Sequence, residues 1–193
     1  MKFYLDITLL PNAEATLGFL WQKVYGQLHL ALVEMKMSNG NSAIAVSFPE
    51  YGDKKFPLGS KLRLLSPTQE QLQQLDIGKW LNRLTDYSHC TPIKKVPESV
   101  SEFVRFKRVQ FDTNVERLAR RRAKRKGESM EQALKHFYGF KDRESKLPFI
   151  NMNRLSKNKR FRLFIEKKIA KQKESCEFTC YGLSNQEATV PEF

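Results

Sequence analysis

A chain of 193 residues with 40% hydrophobic and 11% aromatic side chains can bury one sizeable core or two small ones. Its formal net charge of +13 forecasts attraction to polyanions, with nucleic acid and acidic membrane surfaces as the two broad classes. No apolar run approaches the ~20 residues that span a bilayer, the opening MKFYLDITLLPNAE lacks the apolar centre of a signal peptide, and three cysteines do not make a disulfide framework; a cytoplasmic protein is expected.

In chain order, Phe3, Leu5, Ile7 and Leu9 alternate with polar neighbours and predict a half-buried strand ended by Pro11. Leu17, Leu20, Trp21, Val24, Leu28, Ala31, Leu32 and Met35 recur at helical spacing. They predict an amphipathic helix of about six turns, closed by Ser38-Asn39-Gly40. Ile44, Val46 and Phe48 mark a second strand, and Leu62 and Leu64 a third. A helix in pieces follows, from Pro67-Thr68-Gln69-Glu70 to Leu84, and Ile93 and Val96 suggest a short last strand before Pro97. Strand, helix, strand, strand, helix, strand is the split βαβ, ferredoxin-like pattern. The expected class is α+β: a ferredoxin-like domain over residues 1–97 and a smaller C-terminal α/β domain over 98–193 with an arginine-rich helix.

In the second half, Phe103–Phe111 reads as a strand. Thr113-Asn114-Val115-Glu116 can cap a basic helix that Gly127 ends, and residues 129–138 read as another helix. Leu147–Met152, Phe161–Ile165 and Glu177–Leu183 read as strands, which would hold Cys176 and Cys180 about 13 Å apart, too far to ligate one zinc without a turn between them. The apolar end at Val190 and Phe193 could dock.

The stretch NVERLARRRAKRKGE, residues 114–128, is the strongest functional signal. Arg117, Arg120, Arg121, Lys124 and Arg125 fall at i, i+3, i+4, i+7 and i+8, on one helical face with only Glu116 as an internal acid. A solvated face would more often mix signs, and a membrane-surface helix would carry an opposing aromatic stripe. Nucleic acid fits best, since arginine grips phosphate and guanine with paired hydrogen bonds. The helix by itself does not choose between DNA and RNA, although no second short helix precedes it at helix-turn-helix spacing.

The sequence carries no HExxH, CxxC pair, DxD cluster, phosphate-binding GxxxxGK[ST] or GxSxG. No metal ligand set and no cofactor is expected. Of His29, His89 and His136, His29 stands at the edge of the first helix's apolar stripe, beside Tyr25 and Val33. A histidine there is commonly structural. In a basic protein it could also act on RNA, whose 2′-hydroxyl is an internal nucleophile and needs only a base near neutral pKa. Phe161, among the cations of INMNRLSKNKRFRLFI, reads equally as a core residue or a base-stacking platform. Tyr181 is ambiguous in the same way.

QLHLALV around His29, IAVSFPE at 44–50, KRVQ at 107–110, the arginine helix, LPF at 147–149, FRLFI at 161–165 and FTCYGLS at 178–184 resemble, in order along nearly the whole chain, the type I-F (Csy-type) CRISPR repeat-processing endoribonucleases. The resemblance implies a metal-independent enzyme of antiviral defence that binds a repeat hairpin in precursor CRISPR RNA. It cuts once at the 3′ base by 2′-hydroxyl attack, leaving a 2′,3′-cyclic phosphate. It then stays on the crRNA as a subunit of the surveillance complex, beside the backbone subunit at the crRNA 3′ end. It further implies that His29 and Tyr181 are catalytic, that Arg108 and Gln110 read bases near the foot of the stem, that Phe161 stacks under the terminal pair, and that Arg120, Arg121, Lys124 and Arg125 hold the stem; Arg117, on the same face, is expected to bind RNA with them. The family's S-x-S-T aligns here with Arg154, Ser156 and Lys157. Ser156 is therefore expected to position the ribose, with Arg154 and Lys157 on the RNA. The alternative is a catalytically weak or inactive hairpin-binding subunit that caps the crRNA 3′ end.

Overall fold

The computed structural model describes residues 1–110, 115–138, 146–154, 159–170, 174, 177–185 and 187–193. The chain is mixed α/β with two antiparallel sheets. Strand β1 (Phe3–Leu9) buries Leu5, Ile7 and Leu9, as its alternation requires. Helix α1 (Leu17–Glu34) starts where the Thr16 hydroxyl accepts from the Phe19 amide, and it buries Leu20, Trp21, Val24, Tyr25, Leu28, Ala31 and Leu32. It has five turns rather than the expected six: its last amide bonds close at Met35, and residues 37–41 form a separate turn with Gly40 at φ 80°. Strands β2 (Ala45–Ser47) and β3 (Lys61–Ser66) follow. Then come α2 (Gln69–Leu75), α3 (Ile77–Trp80) and a single 3-10 turn at Asn82–Leu84, the expected helix in pieces.

The expected strand at Ile93–Val96 needs correction. Only Lys94–Lys95 (β5) pairs there, and the larger neighbour of β1 is β4 (Ser88–Cys90). Ser-His-Cys has no apolar alternation. Backbone pairing of Ile7 with Cys90 and Leu9 with Ser88 holds it, together with the Asp6 amide donating to Thr91 Oγ1 at 2.9 Å. The first sheet runs β2-β3-β1-β4, with β5 also on β1.

The second sheet runs β7-β8-β6-β9, formed by β6 (Phe103–Val109), β7 (Phe149–Arg154), β8 (Lys159–Ala170) and β9 (Val190–Pro191). Strand β8 is longer than the expected Phe161–Ile165 because it pairs with all of β6, from Phe103 opposite Ala170 to Val109 opposite Phe164. Phe106 of β6 packs edge-on against Phe48 at 5.1 Å between ring centroids, and the Tyr51 hydroxyl donates to the Ile165 carbonyl at 3.0 Å. These contacts join the two sheets in one core. Beyond β9, the Phe193 ring meets Tyr4 edge-on, and the Arg63 guanidinium lies against both rings while forking onto Asp6. The apolar end docks as expected.

Glu177–Leu183, expected as a strand, is instead a tight turn. Phe178 makes single bridges to Ser42 and Ser184, and the Gly182 amide bonds back to Thr179. Gly182 has φ 69°, and its carbonyl accepts from the Val46 amide at 2.8 Å. A Cβ there would stand 2.4 Å from Val46 Cγ2, so both the positive φ and the close approach demand glycine. The segment's buried Phe178 and Leu183 imitate a strand pattern without forming one.

Residues 1–109 and 148–193 pack as one unit, and residues 110–147 as another. Within the second, α4 (Val115–Lys126) and α5 (Met130–His136) bury Ala119 and Ala133. Gly127 at φ 66° ends α4, and a reciprocal Ser129–Gln132 capping box starts α5. Arg122 Nε lies 2.5 Å from Glu128 Oε1, an ion pair rather than an aligned hydrogen bond. Arg117, Arg120, Arg121, Lys124 and Arg125 are exposed. Thr113 and Asn114, expected to cap α4, lie outside the described residues.

Candidate active site

Helix α1 carries His29 half-buried, with its ring toward the 179–182 turn. His29 Nδ1 is 2.9 Å from the Cys180 carbonyl oxygen. A carbonyl only accepts, so Nδ1 carries the proton and the neutral ring keeps its lone pair on Nε2. The Tyr181 ring lies flat on the imidazole, with 4.1 Å between centroids and 2° between planes. This fixes the orientation of the ring.

Arg108 extends the array from β6. Its guanidinium carbon is 5.3 Å from the Tyr181 ring centroid and 5.5 Å from that of Phe161 on β8, within cation–π range of both. His29, Tyr181, Arg108 and Phe161 thus form one continuous set, drawn from a helix, a turn and two strands. On the same helix, Gln22 donates to Asn153 Oδ1 of β7 at 3.2 Å.

The His29 pKa is lowered from its ordinary value of 6.5, chiefly because partial burial disfavours the imidazolium; the hydrogen bond to Cys180 opposes this, and the Arg108 charge reinforces it. The ring is therefore a neutral base at pH 7. If it acts as such, activity falls as pH drops through a value below 6.5. Arg108→Gln removes the repelling charge and moves that acid limb upward. A pH–rate profile of both proteins checks the sign.

Of the other expected site residues, Gln110 is exposed just beyond β6. Arg154 ends β7, paired with Lys159 in register. Ser156 and Lys157 lie outside the described residues, and the five cations of α4 belong to the second packing unit. Sequence reasoning missed two groups that hold the site. One is the Cys180 carbonyl, a backbone atom with no side-chain signature. The other is the Tyr25 hydroxyl, which donates to the Tyr181 carbonyl at 2.8 Å. Its i, i+4 spacing from His29 was the available signal. Among the described residues, no group of three or more His, Cys, Asp and Glu could hold a metal ion, and no helix is long and apolar enough to cross a membrane.

Fold and site together define a mixed α/β protein with a neutral, oriented imidazole beside an exposed arginine and aromatic rings. The sequence model described as CRISPR-associated protein (Cas_Csy4) matches residues 4–193, and the chain belongs to this family. It is similar to the CRISPR-associated endonuclease Cas6/Csy4 of Escherichia coli (strain UTI89 / UPEC), at 36% identity over 194 residues covering 100% of each chain. It is also similar to the protein of the same name from Pseudomonas aeruginosa (strain UCBPP-PA14), at 35% identity over 185 residues, 95% of this chain and 96% of the relative.

Proposed function

We propose that the protein is an endoribonuclease that processes precursor CRISPR RNA, cutting at the 3′ base of a repeat hairpin. The observation that carries this reading is the Nδ1 hydrogen bond of His29 to Cys180, which leaves Nε2 as the basic nitrogen. His29 Nε2 takes the proton of the ribose 2′-hydroxyl. The oxygen attacks the adjacent phosphate, the bond to the 5′-oxygen of the next nucleotide breaks, that oxygen takes a proton from solvent and leaves as a 5′-hydroxyl, and a 2′,3′-cyclic phosphate remains. The nucleophile belongs to the substrate, so the step needs alignment, a base and cations for the phosphate oxygens rather than a metal ion.

Tyr181 holds the imidazole plane and contributes to the site, Ser156 positions the ribose, and Arg154 and Lys157 contact the RNA. Arg108 and Gln110 read base edges, and Phe161 stacks beneath the last pair. Arg117, Arg120, Arg121, Lys124 and Arg125, exposed along α4, bind the stem. The division of labour follows the two expected halves, residues 1–97 supplying the histidine and 98–193 most RNA contacts. The sheet order β2-β3-β1-β4, with α1 between β1 and β2 and the helical pieces between β3 and β4, supports a ferredoxin-like first half. The product stays bound, and the protein serves in the cytoplasm as a subunit of the crRNA-guided surveillance complex, next to its backbone subunit.

Arg154, at a position where the family has serine, favours a second reading: a hairpin-binding subunit that cleaves slowly or not at all. One assay separates them. In excess EDTA, the cognate repeat is cut and a repeat with 2′-deoxyribose at the scissile nucleotide is bound but left intact. Cleavage of the deoxy substrate would sink the chemistry. Tight binding of both RNAs without any cut would leave the binding subunit.

A further inference from the structure

The base is held through a loop that α1 itself fastens. Tyr25 and His29 stand one helical turn apart on α1 and meet two consecutive carbonyls of the 179–182 turn: Tyr25 Oη donates to Tyr181 O at 2.8 Å, and His29 Nδ1 to Cys180 O at 2.9 Å. The two contacts differ in kind. The imidazole can exchange its proton between nitrogens, whereas the phenol has one donor and is fully buried. Burial also pushes the Tyr25 pKa far up, so the hydroxyl stays protonated at any working pH.

The far side of the turn is fixed as well. The Val46 amide donates to the Gly182 carbonyl, and Thr179 Oγ1 accepts from the Tyr181 amide at 3.3 Å while donating to the Leu183 carbonyl at 3.1 Å. The Cys180 carbonyl therefore has little freedom to swing away from His29. What aims it on the α1 side is the neighbouring peptide, and the side-chain hydroxyl holding that peptide is Tyr25.

We propose that Tyr25 is a positioning residue that sets the tautomer of His29 by anchoring the Tyr181 carbonyl, so that the adjacent Cys180 carbonyl keeps the proton on Nδ1 and the lone pair on Nε2. Its catalytic consequence rests on the reading of His29 as the base; the tautomer assignment does not. Tyr25→Phe removes the hydroxyl and keeps the ring. The Tyr181 carbonyl loses the phenol's hydrogen bond, the turn shifts, and His29 divides between its two neutral forms.

The test is long-range 1H–15N NMR of the histidine side chains above the His29 pKa, alongside single-turnover cleavage. In the parent protein, His29 shows an amine-like Nδ1 and an imine-like Nε2. In Tyr25→Phe the two signals move through each other, so that Nε2 becomes the more amine-like. Cleavage slows roughly three- to tenfold, a fraction of the ~10²–10⁴ that a positioned base supplies, and the hairpin Kd is unchanged. Thr179→Val loosens the same turn from its other end and shifts the signals in the same direction, which keeps the test alive if Tyr25→Phe folds poorly. Unchanged nitrogen signals in folded Tyr25→Phe overturn the proposal; if that variant does not fold, unchanged signals in Thr179→Val overturn the idea that this turn sets the tautomer. Shifted signals with an unchanged rate uphold the positioning and remove His29 from the role of base.

Discussion

His29→Ala is expected to slow single-turnover cleavage of the cognate hairpin by about 10²–10⁴-fold, the usual contribution of a positioned general base. The hairpin Kd should stay the same, because the proposed electrostatic contacts to the stem come from the five exposed cations of α4 and not from His29. The split between rate and affinity distinguishes a base from a binding residue. The ring is half-buried, flat against Tyr181 and bonded at Nδ1, so its removal leaves the core intact and deletes the one imidazole in this array. A variant that cuts at the parent rate would place the base elsewhere. A variant that loses binding and rate together would make His29 a contact for the RNA.

The second large effect is on stability. Phe48 has no exposed surface and lies among Trp21, Tyr25 and Phe106, so it touches α1 and the second sheet at once. Phe48→Ala is expected to cost about 3–5 kcal/mol through lost burial and an unfilled cavity. That is a large part of the ~5–15 kcal/mol typical of a folded domain. Denaturant titration reads it as a lower midpoint with an unchanged slope. A loss under ~1 kcal/mol would mean that the surrounding rings close over the gap. Because Tyr25 stacks on Phe48, the variant should also weaken His29 positioning and cut more slowly even where it remains folded.

Side-chain periodicity showed the elements whose stability comes from side chains. The alternation of β1 and the stripe of α1 predicted their buried faces, because each face repeats at the period of its backbone. Strand β4 stayed invisible since main-chain pairing defines Ser88–Cys90 more than apolar side chains do. The 177–183 segment misled for the opposite reason. Phe178 and Leu183 are buried like strand residues, but Gly182 at positive φ and its contact with Val46 fold them into a turn. At the site, His29 stood out by type and position. The Cys180 carbonyl has no sequence mark, and the approach of Arg108 to both Phe161 and Tyr181 depends on how two strands and a turn come together.

The bond between His29 and Cys180 spans 151 positions of the chain, and that of Tyr25 to Tyr181 spans 156. Synthesis delivers α1 before the turn, so at ~5–20 residues per second the imidazole waits roughly 8–30 s for the carbonyl that accepts from its Nδ1. Throughout that interval the growing chain already holds its histidine but not the carbonyl that orients it. On the proposed reading of His29 as the base, the site is complete only once the 179–182 turn has docked on α1.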